Sequence, residues 1–565
     1  MKKAIPALIA ILLIMIIAGA YGYSIYKEKY SYSNERMDQA EYFGVTSDDE
    51  AAVIMGDELQ EYKAAVIDGE CYLDMDVVLE HYNDRFYFDE NEGLVIYVEP
   101  LTVNVTHVGQ TGYDASGTPV NTPYVPARYV GDRLCLACEF VKAFTNYEYT
   151  YFQDPGRIQV YTEWPQREVA RVTRDTKVRY RGGIKSPILT DVSEGDTVYV
   201  LDAMDTWSEV KTEDGYIGYL ENKRLDDYDT IDPIPVTSYV EPEFKHVTFD
   251  QKINMAWAAV AGKGGNDTIM PLMANTHDVN VLSPTWFPMS DNFGGLEDRA
   301  SAEIVSQMHD RGIQVWPTFN NFDVEGVDAY VVLSSTTTRN ALTDNVMNMV
   351  AAYGLDGVNI DFEDLSYATG THFVEFIREL SVRCRQAGVV LSVDNYVPLG
   401  NTDYYGRSEQ GAFADYVIVM GYDEHYAGSE EAGSVAGISY VEQGIKRTVE
   451  EVGDAARVIN GIPFYTRIWK TEGTEVSSRA LGMQDVADYL SEANVTTSWD
   501  QDNCQNYGER IISEDVREQV WIEDAESIEV KLNVMDNYGL GGVASWRLGF
   551  ETPDIWDVIA DYVNK

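Results

Sequence analysis

The feature that most constrains the fold is an alternation of apolar strand-like and helix-like segments over residues 245–565. The strand-like segments are, in order, INMAWAAV, VNVLSPTWF, IQVWPTF, GVNIDFE, VVLSVDNYV, YVIVMGYD, RVINGIPFY and GGVASWRLG. Amphipathic stretches such as GTHFVEFIRELSVRCRQAG separate them. Eight such units are the composition of a (β/α)8 barrel, so we predict this α/β fold. The stretch between the last two strands is too long for one helix, and we predict an insertion at about 470–535.

The fourth strand, GVNIDFE, carries three polar residues at a spacing of two. Because side chains alternate along a strand, Asn359, Asp361 and Glu363 are predicted to share the face that points into the barrel. Glu363 then lies nearest the C-terminal mouth, where barrel enzymes carry their chemistry. A carboxyl group in a partly dry mouth, above another acid, is expected to have a raised pKa and to serve as a general acid.

Three motifs together resemble glycoside hydrolase family 18. Residues 356–363 read DGVNIDFE, similar to the family motif D-G-x-D-x-D-x-E, and MGYD at 420–423 is similar to its M-x-Y-D. ASWRLG places Trp546 where the family has the floor of its sugar site. The segment GYDEHYAGSEEAGSVAGISYVEQGI looks most like the branch that cuts peptidoglycan, including spore cortex-lytic N-acetylglucosaminidases. The resemblance covers roughly residues 245–565. It implies cleavage of β-1,4 bonds next to N-acetylglucosamine with retention of configuration.

The resemblance also implies residue roles. Glu363 would protonate the glycosidic oxygen and later activate water. The acetamido oxygen of the substrate would be the nucleophile. Asp361 would accept a hydrogen bond from the acetamido N–H, and Tyr422 would donate one to the acetamido oxygen. Asp423 would orient the sugar or Tyr422, and Trp546 would stack under the reacting ring.

Asn359 departs from the family pattern, which has Asp at this position. An amide can donate a hydrogen bond to Asp361, but it carries no charge and cannot exchange a proton. We therefore expect retained activity with an altered acid limb of the pH profile, and a movement of that limb in Asn359→Asp.

Further residues near strand ends are candidate sugar contacts. Trp257, Trp286 and Tyr396 are candidate platforms, with a place in the barrel core as the alternative for each, and Asn395 is a candidate polar contact. His425 has no partner at metal-ligand spacing. We therefore expect neither a metal nor a cofactor.

The N-terminal half is predicted to hold the barrel near a cell surface. Residues 1–24 combine MKK with an uncharged apolar run, which is typical of a membrane anchor or a signal segment. An uncleaved anchor places the remainder outside the cell, because the lysines stay inside. Cleavage at AGA would instead give a secreted or wall-bound protein. The polar residues 25–48 are predicted to form a tether.

Three further segments precede the barrel. In residues 49–165, DENEGLVIYVE is similar to FQDPGRIQVYTE, while CYLDMDVVLEHY and PYVPARYVGDRL each suggest a strand that leads into a short helix. These two α+β repeats resemble the N-terminal domain of copper amine oxidases, without its copper chemistry, and suggest a stalk or wall-contact module. Residues 168–227 resemble a bacterial Src-homology-3-type barrel, and residues 228–244 form a Pro-rich linker.

The charge composition indicates which classes of molecule this protein can bind. The 565 residues carry a formal net charge of −51, which repels nucleic acid and anionic membrane surfaces and suits a neutral polysaccharide. Five cysteines are too few for a disulfide scaffold. Three alternatives to a peptidoglycan hydrolase stay open: a chitinase, a catalytically inactive lectin-like protein, and a surface stalk in which the barrel is only a scaffold.

Overall fold

An apolar helix begins the part of the chain that the structure, a computed structural model, describes: residues 4–232, 237–400 and 402–565. This helix, α1 (Ala4–Tyr30), is long and apolar enough to cross a membrane, although a signal sequence passes the same test. It extends six residues beyond the predicted limit at residue 24. The MKK lysines, Lys2 and Lys3, and the linker prolines Pro233 and Pro235 lie outside the described residues.

The chain divides into two units. One contains the residues up to 86 together with 106–241, and the other contains 87–105 together with 242–565. Part of the first predicted repeat therefore belongs to the unit of the barrel, and the predicted boundary at 165 lies inside the first unit. Sequence similarity between repeats reports local strand and turn patterns, whereas tertiary packing decides to which core a hairpin contributes.

Residues 39–161 form short strands and helices, which are listed here in chain order. They are α2 (Gln39–Phe43), β1 (Glu50–Met55), β2 (Glu58–Ile67), β3 (Glu70–Asp74), α3 (Met75–His81), β4 (Tyr87–Asp89), β5 (Leu94–Glu99), β6 (Thr102–His107), β7 (Tyr113–Ala115), β8 (Thr118–Val120), β9 (Ala127–Val130), β10 (Arg133–Ala137), α4 (Cys138–Ala143), β11 (Glu148–Gln153) and β12 (Gly156–Tyr161).

One sheet of the first unit has the strand order β11-β12-β1-β2-β3-β10-β9. The segment CYLDMDVVLEHY forms strand β3 and helix α3, as predicted. The prediction for PYVPARYVGDRL was wrong, because β9 turns back into β10 as a hairpin and the helix begins only at Cys138. Gly131, at φ 65°, permits the left-handed backbone that this turn requires.

The second sheet of the first unit is a small barrel-like module. Its strands are β13 (Arg167–Val172), β14 (Thr176–Arg179), β15 (Ile188–Val192), β16 (Thr197–Ala203), β17 (Trp207–Lys211), β18 (Ile217–Glu221) and β19 (Leu225–Ile231), in the sheet order β15-β14-β18-β17-β16-β13-β19. The predicted tether does not extend freely from α1, because Arg36 forms a parallel β-bridge with Ile188 and Phe43 is buried in the core of the module.

Elements from residue 253 onward belong to the barrel unit and are listed here in chain order. They are β20 (Ile253–Ala258), α5 (Ile269–Met273), β21 (Val281–Pro284), β22 (Phe287–Pro288), α6 (Ala302–His309), β23 (Gln314–Val315), β24 (Thr318–Asn320), α7 (Ala329–Leu333), α8 (Thr336–Tyr353), β25 (Gly357–Asp361), α9 (Tyr367–Ala387), β26 (Val390–Tyr396), α10 (Arg407–Phe413), β27 (Tyr416–Met420), α11 (Ile438–Val452), β28 (Val458–Pro463), β29 (Tyr465–Glu472), β30 (Glu475–Gly482), α12 (Met483–Ala493), β31 (Thr497–Asp500), β32 (Gln505–Ser513), β33 (Val516–Ile522), α13 (Ala525–Tyr538), β34 (Gly542–Trp546) and α14 (Ile555–Val563).

The predicted (β/α)8 barrel is confirmed. Two of its strands are interrupted, the second into β21 and β22 and the third into β23 and β24. All neighbouring strands run parallel, and β20 closes the ring by pairing with both β21 and β34. The eight predicted strand segments each contain one of these barrel strands.

A separate antiparallel sheet interrupts the barrel between its last two strands. Its order is β30-β29-β33-β32-β31, and it packs with α12 over residues 465–522. This position differs from the predicted 470–535, because α13 already belongs to the barrel. The helical pattern of α13 does not by itself indicate whether this helix packs on the inserted sheet or on the barrel.

The hairpin of residues 87–105, which contains β4, β5 and the first part of β6, packs on helices of the barrel. Leu94, Ile96 and Val98 share a buried cluster with Val382 of α9 and Phe413 of α10. The hairpin therefore fills part of the hydrophobic core of the barrel unit.

A polar contact fixes the same hairpin to the start of helix α8. The Asp89 carboxylate is fully buried and accepts hydrogen bonds from the backbone N–H of Thr336, at 2.6 Å, and from its hydroxyl. This contact satisfies a donor that the first turn of a helix leaves unpaired.

Candidate active site

Strand β25 positions the predicted polar residues as the alternation requires. Asn359 and Asp361 are buried inside the barrel, and Glu363 follows at the mouth. Phe362 points the other way and stacks on Phe376 of α9 with ring centroids 5.7 Å apart. The apolar face thus packs against the outer helices, while the polar face is left for the interior.

A cavity of about 240 Å³ opens at the C-terminal ends of the strands. It is lined by Trp257, Phe322, Asp361, Glu363, Asp394, Tyr396, Met420, Tyr422, Asp423 and Trp546. The structure therefore brings seven of the ten predicted site residues to one cavity. Its volume lies below the roughly 300 Å³ of small drug-sized pockets, which suits a single sugar ring.

Glu363 is held by three hydrogen bonds. The Tyr396 hydroxyl donates to Glu363 Oε2 at 2.7 Å, and the Asn321 amide bonds the backbone N–H and carbonyl of Glu363 at 2.8 and 2.9 Å. Burial raises the pKa of Glu363, and the charge of Asp364 adds to this, while the bond from Tyr396 opposes it. A carboxyl group that is held in place and has a raised pKa is suited to keep a proton and to act as a general acid.

Asp361 presents an unused acceptor. Its Oδ1 is buried and is without a hydrogen-bond partner in the part of the chain that the structure describes. Burial, followed by the charges of Asp394 and Glu363, raises the pKa of Asp361 well above its ordinary value. A buried carboxyl oxygen without a donor is costly, so this oxygen can accept an N–H from a ligand that reaches it.

Two residues that follow β27 complete the polar wall. Burial raises the pKa of Tyr422 well above its ordinary value, so its hydroxyl stays a donor. Asp423 accepts a hydrogen bond from the Tyr465 hydroxyl, and burial raises the pKa of Asp423 while this bond opposes the rise. Tyr465 thereby fixes Asp423, at φ 59° in the left-handed region, beside Tyr422.

Asn359 does not line the cavity but lies fully buried inside the barrel. Its Oδ1 accepts from Trp257 Nε1 at 3.0 Å and from the Ser283 hydroxyl at 3.2 Å. Its Nδ2 donates to Ser392 Oγ at 3.1 Å and to Asp394 Oδ1 at 2.8 Å. The predicted hydrogen bond from Asn359 to Asp361 is therefore wrong, because the Asn359 amide donates to Ser392 and Asp394 on strand β26 instead.

Of the aromatic residues predicted to contact a sugar, Trp257 and Trp546 line the cavity and Trp286 does not. Trp257 and Trp546 both line the cavity and meet edge to face at 6.1 Å, so Trp546 keeps a partly exposed ring surface for a sugar. Trp286 does not reach the cavity. It is fully buried, and its Nε1 donates to Asn266 Oδ1 at 2.8 Å. Trp286 is therefore a core residue.

Asn395, predicted as a polar sugar contact, does not line the cavity either. It lies on the outer face of β26, where its amide exchanges hydrogen bonds of 2.6 and 2.9 Å with Gln410 of α10. The alternation that directs Asp394 and Tyr396 inward turns Asn395 outward.

Sequence reasoning missed four residues of the site: Asp394, Met420, Asn321 and Phe322. Asp394 had a usable signal, because VVLSVDNYV places Ser392, Asp394 and Tyr396 on one face, as GVNIDFE does for its own triplet. Asn321 and Phe322 lie in the loop after β24, where strand alternation no longer predicts direction.

A second, larger cavity lies on the other side of Glu363. It measures about 740 Å³ and shares Glu363, Asn321 and Phe322 with the walls of the site. Tyr330 and Ser366 line it farther out. The cleft therefore continues past the acid, which leaves room for the polymer beyond the bond next to Glu363.

Comparison with known proteins identifies relatives of both folded modules. Residues 297–551 match the family described as glycosyl hydrolases family 18, and residues 179–225 match the bacterial dipeptidyl-peptidase Sh3 domain. The provisionally named sporulation-specific glycosylase YdhD of Bacillus subtilis (strain 168) is 30% identical over 284 residues, which cover 48% of this chain and 65% of that protein. The cortical fragment-lytic enzyme of the same organism is 25% identical over 243 residues, which cover 41% of this chain and 56% of that enzyme. This chain thus spans less than two thirds of either relative.

Solved structures share the barrel. A chitinase from Chromobacterium violaceum ATCC 12472 has a TM-score of 0.50 at 22% identity, covering 56% of this chain and 99% of that one. The Bacillus cereus spore cortex-lytic enzyme SleL has a TM-score of 0.50 at 19% identity, covering 59% of this chain and 78% of that one. At these identities the similarity establishes the fold. With the three motifs, the family match over residues 297–551 assigns the barrel, rather than the whole chain, to the glycosyl hydrolases of family 18.

Proposed function

We propose that this chain is a glycoside hydrolase that cleaves β-1,4 bonds next to N-acetylglucosamine, with peptidoglycan as its substrate. The observation that carries the proposal is the buried Oδ1 of Asp361, which has no hydrogen-bond partner among the described residues and belongs to the same cavity wall as Glu363. That combination suits a substrate that brings an amide N–H to the place where its glycosidic oxygen needs a proton.

The proposed reaction uses the acetamido group of the substrate as nucleophile. Glu363 gives its proton to the leaving oxygen as the acetamido oxygen bonds to the anomeric carbon. Asp361 accepts the N–H, and Tyr422 donates to the acetamido oxygen. Glu363, now a carboxylate, then takes a proton from water, which attacks the anomeric carbon and restores the acetamide. Two inversions retain the configuration.

Peptidoglycan is favoured over chitin by the relatives, which include a cortical fragment-lytic enzyme. We further propose that α1 anchors the protein in the cell membrane with the barrel outside, or directs its secretion if it is cleaved. The two N-terminal sheets would hold the barrel near the wall, and residues 49–165 would serve as its wall-contact module.

The test compares products from two polymers. We would incubate the full-length chain in mild detergent with purified peptidoglycan and with chitin oligomers, and identify new reducing ends by mass spectrometry. We expect muropeptides that end in reducing N-acetylglucosamine, absent with Glu363→Gln. Products from chitin alone would overturn the proposed substrate. Glycan binding without any product would favour a lectin-like protein.

Tyr396→Phe is expected to move the alkaline limb of kcat/KM to higher pH. The hydroxyl of Tyr396 stabilises the Glu363 carboxylate, so its loss raises the pKa of Glu363 further. Because Glu363 must be protonated to act, activity would persist to higher pH. The pH profile on a soluble glycan checks this, and a limb that moves to lower pH would contradict it.

Phe322→Ala is expected to weaken binding of long substrates. Phe322 is 46% exposed and lines both cavities, so its ring is available to a sugar on either side of Glu363. An aromatic contact of about 0.5–1.5 kcal/mol corresponds to a rise in KM of roughly 2–12-fold. Phe293→Ala, at a 77% exposed ring that lines neither cavity, is the control. Equal KM values for both variants would refute the contact.

A further inference from the structure

Asp394 is a buried carboxyl group that the proposed reaction does not use. It is 2% exposed, it lines the same cavity as Asp361, and it lies one strand away from the family motif. A buried carboxyl group without a cationic partner is costly unless it holds a proton or serves another group.

The strand register places Asp394 beside Asp361. Strands β25 and β26 pair in parallel with Asn359 opposite Ser392 and Ile360 opposite Val393. The next residues on the two strands are Asp361 and Asp394, and neighbouring strands lie roughly 4.8 Å apart. Partners in a parallel pair point to the same face, which agrees with both residues lining the cavity.

The charges around Asp361 are nearly all acidic. Its neighbours are Asp394 and Tyr396 on β26, Glu363 just after β25, Tyr422 and Asp423 after β27, and Asp323 in the loop after β24. None of the residues that line the cavity is Lys, Arg or His. Neighbouring carboxylates in a dry site do not all ionise, so at least one of them keeps a proton.

The hydrogen bonds of Asn359 explain why this position is an amide. Its Oδ1 is fixed as an acceptor by the Trp257 and Ser283 donors, which leaves Nδ2 directed at Ser392 and Asp394. An ionised aspartate at position 359 would offer Asp394 no donor. Where the family motif has a further carboxyl group on the fourth strand, this chain has the amide of Asn359, and a carboxyl group stands on β26 at Asp394.

We propose that Asp394 is the proton-sharing partner of Asp361 and that Asn359 orients it for this role. This inference rests on the proposed function and adds a positioning residue to it. Asn359 occupies one oxygen of Asp394 as a donor, and the other oxygen carries the shared proton toward Asp361. When the acetamido N–H binds, the proton stays on Asp394, and Asp361 remains an acceptor. Only the hydrogen bond between the carboxyl groups of Asp361 and Asp394 changes, and no bond between heavy atoms forms or breaks.

Two variants of the full-length chain separate proton sharing from packing. Asp394→Asn keeps a donor toward Asp361, so the acid limb of its kcat/KM profile should shift less than that of Asp394→Leu. Asp394→Leu keeps the branched shape of the side chain, at a larger volume, but has no donor. In Asp394→Leu the first proton binds Asp361 itself, so the acid limb of kcat/KM should move up by at least about one pH unit. An unmoved limb in a folded Asp394→Leu protein would overturn the proposal.

A stability measurement tests the same pair without any activity. A shared proton raises the folded-state pKa of the pair above the value in the unfolded chain, so it stabilises wild type at low pH and this stabilisation is lost as pH rises. Asp394→Asn removes one of the two carboxyl groups and supplies a donor to Asp361, so this loss should be smaller in the variant. Its melting temperature should rise relative to wild type by at least about 2 °C between pH 5 and 8.

The control is Ser392→Ala, which removes a partner of Asn359 but leaves both carboxyl groups. Its melting-temperature difference from wild type should stay constant over the same pH range. A constant difference for Asp394→Asn as well would overturn the shared proton. If wild type cleaves no glycan, the proposed function fails, and the melting experiment still decides the role of Asp394.

Discussion

Glu363→Gln is expected to lose about 10²–10⁴ of kcat on peptidoglycan, the range that a general acid contributes. Gln keeps the size of the side chain and can still interact with the Tyr396 hydroxyl, which now bonds Glu363 Oε2 at 2.7 Å. It cannot deliver a proton to the leaving oxygen. The initial rate of reducing-end release measures the loss. Glu303→Gln, on the outer helix α6, is the matched control and should retain wild-type activity.

The leaving group separates acid catalysis from binding in this variant. A 4-nitrophenyl glycoside of N-acetylglucosamine expels a weakly basic phenolate that needs little protonation. The loss in Glu363→Gln should therefore be at least tenfold smaller on this substrate than on the natural polymer. An equal loss on both substrates would mean that Glu363 acts in binding, and the assignment as acid would be wrong.

A fragment of residues 242–565, which contains every barrel strand, is expected not to fold stably. It lacks the hairpin of residues 87–105, which buries Leu94, Ile96 and Val98 against the barrel helices. Burial of three such side chains stabilises the folded state by at most about 5–9 kcal/mol. That is comparable with the 5–15 kcal/mol that holds a typical protein folded.

Circular dichroism and thermal melting check this expectation, with the full-length chain as reference. The fragment should show a weakened or absent cooperative transition and should bind a hydrophobic dye, because Val382 and Phe413 lose their cover. Residues 87–105 joined to residue 242 through a Gly/Ser linker should restore the transition. A bare fragment that melts within 2 °C of the linked one would refute the role of the hairpin.

Strand alternation predicted correctly which side chains of the fourth strand point to the cavity. Alternation within GVNIDFE directed Asp361 and Glu363 inward, and the motifs after β27 and at the end of β34 placed Tyr422 and Trp546 at the same mouth. The same rule, not applied to VVLSVDNYV, would have found Asp394 and rejected Asn395. Trp286 could not be judged in this way, because it lies at a break between β21 and β22, where the period of two is lost.

The sequence by itself determined the barrel and the acid at its mouth, because both follow from periodicities of single strands and helices. Only the tertiary structure decided which acceptor the Asn359 amide selects and which core the hairpin of residues 87–105 completes. Asn359 has two possible carboxyl neighbours, and donors on Trp257 and Ser283, far apart in the chain, fix the choice of Asp394. The hairpin resembles its repeat in local pattern, and the long-range burial against Val382 and Phe413 assigns it to the barrel.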